Sequence, residues 1–239
     1  MLQTDTAPVF SPELLRQLDV NGPRYTSYPT ADRFHEGFDA AAYAGSLATR
    51  AALSPHRSTA PLSLYVHIPF CESVCYYCAC NKVITRHHER AAEYLQALDV
   101  EIELHRVALG QPQAVSQLHF GGGSPTFLSD AELTGLMASL RRAFEFVPDA
   151  ELSIEVDPRT VDAGRLATLR HLGFNRISFG VQDFDPAVQK AVHREQSEAM
   201  VRTLVEHARS LGFVSINTDL IFGLPLQTPE SFARTVERI

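Results

Sequence analysis

Apolar positions in this chain gather into short dense runs that alternate with longer stretches of helical periodicity. Leu62–Ile68 is a compact apolar run and predicts a strand. Glu89–Leu109 follows with Leu95, Leu98, Ile102 and Leu109 near one face, the pattern of an amphipathic helix. The alternation then repeats: strand Val115–Phe120, helix Asp130–Phe146, strand Glu151–Val156, helix Asp162–Leu172, strand Phe174–Val181, helix Glu198–Leu211 and strand Phe213–Phe222. Ser129 and Glu132 form a capping box at the head of the second helix. Thr228 can cap a last helix that has Pro229 at its first position and runs to Ile239 with no C-cap, so the chain reads as part of a longer protein.

Repeated strand–helix units predict parallel strands joined by right-handed crossovers. The expected fold is α/β: a partial (β/α)6-type barrel cut off after about five units, because five units do not close an eight-stranded barrel. Residues 1–60 are expected to form an irregular N-terminal arm with a short helix around Ala40–Ala52 and a linker at Ser54–Pro61, and residues 61–239 the partial barrel.

In such sheets reactive groups sit at the C-terminal ends of the strands. Five features fall there: the cysteines after the first strand, Gly121-Gly122-Gly123-Ser124-Pro125-Thr126 after the second, Glu155 and Asp157, Gln182 and Asp183, and Asp219 with the turn Phe222-Gly223-Leu224-Pro225.

Composition narrows the class. The chain has 239 residues, 45% apolar and 21% charged, enough to bury a substantial core. A net charge of −7 disfavours nucleic-acid binding but leaves room for a local basic pocket. No run is long enough to span a membrane, and the N-terminus lacks the basic start of a secretory signal. All 4 cysteines lie between Cys71 and Cys80, which points to metal chemistry in a reducing compartment, the cytoplasm, rather than to a disulfide scaffold. Cys71, Cys75 and Cys78 can wrap an iron–sulfur cube and leave one iron open. A structural zinc site would want a second cysteine pair, and a CxxC redox motif would leave Cys71 unexplained.

The CxxxCxxC spacing resembles that of the radical S-adenosylmethionine (SAM) superfamily. Tyr65–Cys71, Cys78–Lys82, Gly22–Thr30 and His119–Thr126 resemble the oxygen-independent coproporphyrinogen III oxidase family more closely. That resemblance covers Asn21 to the last residue. Cys80 and the Arg24–Pro29 arm favour this family over its haem-chaperone-like paralogues, and a non-catalytic zinc module is the remaining alternative.

The resemblance implies a [4Fe–4S] cluster on Cys71, Cys75 and Cys78, with Cys80 nearby but not a ligand, and two SAM molecules. Tyr65, Tyr77, Gly122, Gly123, Ser124 and Glu155 would contact the first SAM; Gln182, Arg194 and Asp219 the second, with Ile221–Gly223 as a bed for adenine. The glycine run would present backbone amides to the ligand, and Arg194 would pair with a carboxylate. No side chain is assigned to catalysis itself, since the radical arises at the cluster and SAM. The implied reaction removes hydrogen, carbon dioxide and an electron from each of two propionates of coproporphyrinogen III, giving vinyl groups. Arg24, with Arg33 and Lys82 behind it, would meet the substrate carboxylates. A flavodoxin or ferredoxin would donate electrons, and the protein would act as a monomer. The family's C-terminal helical domain would be missing, so the chain is expected to bind the cluster but turn over little.

Overall fold

The computed structural model describes residues 11–20, 29–53 and 60–239. The chain forms two compact units, residues 1–46 and 47–239. In the first, Ser11 caps a short helix α1 (Pro12–Leu18), with Pro12 at its first position. This helix was not expected in an irregular arm; its apolar residues Leu14, Leu15 and Leu18 are exposed and give no buried stripe to read. A 3₁₀ turn at Ala31–Arg33 follows, and helix α2 (Ala40–Leu53) begins in this unit and ends in the next. The motif at 21–28, Arg24 included, and most of the linker at 54–61 lie outside the described residues.

The second unit is built on strand β1 (Leu62–Ile68), a small parallel pair β2 (Phe70–Cys71) and β3 (Val83–Ile84), helix α3 (Arg90–Leu109), strand β4 (Ala114–Gly122), helix α4 (Asp130–Ala143), strand β5 (Glu145–Val156), helix α5 (Ala163–His171), strand β6 (Arg176–Gln182), helices α6 (Pro186–Ala191) and α7 (Glu198–Ser210), strand β7 (Ser215–Leu220) and helix α8 (Pro229–Val236). The main sheet is parallel, in the order β1-β4-β5-β6-β7, so each new strand adds beside the last. A doubly wound sheet would reverse direction; this order is that of an incomplete barrel.

Several boundaries differ from the sequence expectation, β7 (Ser215–Leu220 rather than Phe213–Phe222) among them, and two have a plain cause. Helix α4 stops at Ala143: Phe144 is extended, and the Glu145 N–H donates to the Gln113 carbonyl, so Glu145 and Phe146 join the ladder beside Ala114 and Val115. Strand pairing overrode a helical pattern that has no stop signal there. Strand β6 starts at Arg176 rather than Phe174; Phe174 is a fully buried plug whose ring meets Phe120 edge-on at 5.2 Å. Helix α6 was also missed, being shorter than two turns of periodic pattern.

The strands have one apolar and one polar face. Ala150, Leu152, Ile154 and Val156 of β5, with Ile177, Phe179 and Val181 of β6, are buried with Leu133, Leu136, Met137 and Leu140 of α4 and Leu166 and Leu169 of α5. The period of two sends Ser153, Glu155, Arg176, Ser178, Gly180 and Gln182 to the opposite face.

Asp183, just past β6, is 1% exposed. Its Oδ1 accepts from Asp185 N–H and the Thr235 hydroxyl, both at 2.7 Å, and its Oδ2 from the Gln227 amide at 2.5 Å. Gln227 in turn accepts from the Gly223 and Leu224 amides, so one carboxylate secures both α8 and the turn at 223–227 to the rim. Asp183→Ala leaves these buried donors unpaired and is expected to cost about 2–4 kcal/mol, read as a lower urea midpoint; Thr235→Val should cost about 1–3 kcal/mol. A parental midpoint in Asp183→Ala would refute this role.

Candidate metal and cofactor site

The cysteine loop leaves the sheet at β2 and returns at β3. The Val83 N–H donates to Pro69 O at 2.7 Å and the Thr85 N–H to Cys71 O at 2.9 Å, which closes the loop at its base. Inside it the Cys78 N–H donates to Cys75 O, and Lys82 Nζ donates to Cys78 O at 2.8 Å. The far side docks on the end of α6. Tyr76 N–H donates to Val192 O at 3.0 Å, and His193 Nδ1 lies 2.8 Å from Val74 O. A carbonyl only accepts, so Nδ1 of His193 carries the proton. The His193 ring also stacks on Tyr76, and its backbone is left-handed, φ 56°.

Gly123 explains how the glycine run meets this loop. A Cβ there would fall 2.8 Å from backbone atoms of Pro69 and Phe70. Its N–H donates to Ile68 O and that of Ser124 to Phe70 O, both at 2.8 Å. The expectation that these two amides face a ligand is therefore corrected: they join two chain segments. Gly122, at φ 110°, is pressed against the His67 ring.

All three expected iron ligands line one cavity of about 460 Å³. Their thiols are free and half-buried, whereas Cys80 is exposed. Tyr77, Gly122, Gly123, Ser124 and Glu155 line the same cavity, as do Gln182, Arg194 and Asp219. Tyr65 is not among the lining residues: its ring stacks on His119 and its hydroxyl donates to His67 Nδ1 at 3.1 Å. Glu155 lies 3.2 Å from His119 Nε2, and Asp219 accepts from the Ser178 hydroxyl at 2.8 Å. Gln182 holds a left-handed φ of 69° at the irregularity between β6 and β7. Ile221 packs with Tyr77 against Val188, Val192 and Leu224, while Phe222 is exposed. Arg33 pairs with its neighbour Asp32 in the first unit. Lys82 lines the cavity.

The electrostatic centre was not foreseen. Asp157 Oδ2 accepts from both Arg194 Nη1 and Arg159 Nη2 at 2.8 Å. Both guanidiniums also reach Cys75 Sγ, Arg194 at 3.6 Å and Arg159 at 3.8 Å. Arg194 Nη2 donates to Gly180 O at 2.8 Å, and a Cβ on Gly180 would collide with this guanidinium. Burial alone would raise the Asp157 carboxyl; hydrogen bonds from Arg159 and the charge of Arg194 hold it below its ordinary 3.8. Burial, then the neighbouring Cys78 and Cys75, pushes the Cys71 thiol up to about 11. Burial also raises the Tyr77 phenol, against the opposing charge of Arg194. Arg159 lay in no motif of the sequence, and His119 opened the His119–Thr126 motif without a role of its own. The alternation of polar residues along β4 to β6 was the available signal for His119, and for Arg159 there was none.

The donor set suits a cationic cluster and an anionic ligand. The Cys71 thiol, raised by burial and its neighbouring cysteines, gives up its proton only to a strong cation. The Arg194 side chain is 9% exposed and its Nε has no partner, a buried donor that asks for an acceptor. Among the described residues no three Cys, His, Asp or Glu side chains converge on a single ion. A mononuclear tetrahedral site needs that convergence, whereas a cube spreads its thiolates over separate iron corners.

A family model for the radical SAM superfamily matches residues 65–239. The chain belongs to the radical SAM superfamily. It is 54% identical over 230 residues to the oxygen-independent coproporphyrinogen III oxidase of Pseudomonas aeruginosa, covering 95% of this chain and 49% of that protein. Identity to the Escherichia coli K12 protein of the same name is 52% over 226 residues, covering 95% and 48%. A solved structure of coproporphyrinogen III oxidase from Escherichia coli, described as a radical SAM enzyme, superposes with a TM-score of 0.82 at 51% identity, over 90% of this chain and 48% of that one. The chain thus spans about half the length of the curated relatives it matches.

Two outcomes follow for this radical SAM chain. Gly123→Ala must force the glycine run from the cysteine loop, costing about 1–3 kcal/mol in urea unfolding, while Gly135→Ala, with nothing within 4 Å of its Cβ, should be neutral or stabilising by up to about 1 kcal/mol. The depressed carboxyl of Asp157 stabilises the fold above its unfolded pKa and loses that contribution as pH falls through its lower folded value. The stability gap between parent and Asp157→Asn, both without metal, should therefore be constant near neutrality and shrink below about pH 4; a gap independent of pH down to acid unfolding would exclude this linkage.

Proposed function

We propose that this chain is the cofactor-binding part of an oxygen-independent coproporphyrinogen III oxidase, with one [4Fe–4S] cluster on Cys71, Cys75 and Cys78 and two SAM molecules beside it. The supporting observation is the 54% identity over 230 residues along a chain whose three cysteines share a cavity with Glu155 and Arg194. When bound, the cluster and SAM supply a one-electron cleavage that yields a carbon radical able to take a hydrogen atom from substrate.

The protein's share is holding and orienting. Gly122, Gly123 and Ser124 act by shape, as a close-packed wall in which the Gly123 and Ser124 amides are already spent. Glu155, steadied by His119, accepts from the first SAM; Tyr77 lines its approach, and Tyr65 supports the site from behind through its stack on His119. The unpartnered Nε of Arg194 donates to a carboxylate of the second SAM. Gln182 supports it, and Asp219, fixed by Ser178, accepts from ribose hydroxyls. On each of two propionates of the porphyrinogen, the β-carbon loses a hydrogen atom, the bond to the carboxylate breaks to release carbon dioxide, and one electron leaves for an external acceptor. That leaves a vinyl group. A flavodoxin or ferredoxin would supply the reducing electron. The free cysteines fit a reducing cytoplasm, and among the described residues no helix is long and apolar enough to cross a membrane. Residues 1–60 would form an N-terminal arm with a short helix and residues 61–239 a partial barrel, and the whole would work as a monomer.

Anaerobic reconstitution with iron and sulfide should give a reduced protein whose electron-paramagnetic spectrum changes on adding SAM, with 5′-deoxyadenosine as the product of cleavage. Cys75→Ser should lose most of the iron. A colourless zinc protein, or an iron–sulfur spectrum indifferent to SAM, would sink the proposal.

A further inference from the structure

The roles above leave Arg159 and Asp157 unused, yet they make the densest polar contact in the site. Arg159 Nε lies 3.0 and 3.2 Å from the two Asp157 oxygens, and its Nη2 lies 2.8 Å from Oδ2. The Asp157 carboxylate also accepts the Arg159 backbone N–H at 3.0 Å, which caps the turn at Pro158–Thr160. The guanidinium therefore has little freedom, and its Nη2 rests 3.8 Å from Cys75 Sγ. With Arg194 on the same sulfur at 3.6 Å and sharing the same carboxylate, the immediate surroundings of Cys75 hold two positive charges against one negative. The side chains of Arg159 and Asp157 are 25% and 13% exposed, so water screens them only in part. Among the described residues, no side-chain cation donates to the sulfur of Cys71 or Cys78; Lys82 donates to the Cys78 carbonyl instead.

We infer that Arg159, held by Asp157, is a positioning residue that raises the reduction potential of the cluster from its Cys75 corner. The inference rests on the cluster reading above. Reduction adds one electron from an external donor, with no bond made or broken and no proton moved. A fixed positive charge and a hydrogen bond at a ligand sulfur both favour the more negative, reduced form. Arg159 thus eases electron entry at the Cys75 corner, beside Arg194.

The test is a redox titration of the full chain, reconstituted with iron and sulfide, poised with dithionite and followed by electron-paramagnetic resonance. Arg159→Gln should shift the midpoint to more negative potential, and Arg159→Lys, keeping the charge, should recover part of that shift. An unchanged midpoint in loaded Arg159→Gln overturns the inference. So does loss of the cluster from both Arg159→Gln and Asp157→Asn with the parent loaded, which would give the pair to the folding of the loop. A parent that never takes up iron and sulfide fails the cluster reading itself, and metal analysis tells that outcome from the other two.

Discussion

The guanidinium of Arg194 is buried, and a buried cation without acceptors costs several kcal/mol. Its acceptors come from separate parts of the chain: Asp157 past the end of β5, the Gly180 carbonyl in β6, and the Cys75 sulfur in the loop after β2. One charge therefore draws the cysteine loop onto the sheet's C-terminal edge. Gly180 is part of the same device, since any side chain there would occupy the guanidinium's place. Its Nε is left buried with no acceptor among the described residues.

Around that contact the loop is held by backbone bonds more than by side chains. Its base is joined to β3, its flank to the glycine run, and its far side to Val192 and His193. These bonds gather the three cysteines around one cavity. Within that set, burial and the neighbouring cysteines raise the Cys71 thiol.

The sheet gives the site its polarity. A strict period of two puts the core on one face and His67, His119, Glu155 and Ser178 on the other. Neighbouring strands in register then set these groups beside one another: Tyr65 opposite His119, His119 opposite Ser153, Glu155 opposite Ser178, and Gly180 opposite Asp219. The order β1-β4-β5-β6-β7 makes this a continuous polar floor beneath the cysteine loop.

What the sequence by itself determined was whatever is local or periodic. The βα alternation, the Ser129–Glu132 capping box and the Cys71, Cys75, Cys78 spacing each depend on residues a few places apart, and resemblance carried the cavity residues from Tyr77 to Asp219. Only the tertiary structure decided the rest. That the amides of Gly123 and Ser124 are spent on Ile68 and Phe70, that Asp183 fastens α8, and that Arg159 and Arg194 share Asp157 at one sulfur are facts of pairing between distant segments. No composition or period encodes such pairings, because a charged side chain looks the same in sequence whether it faces water or a buried partner.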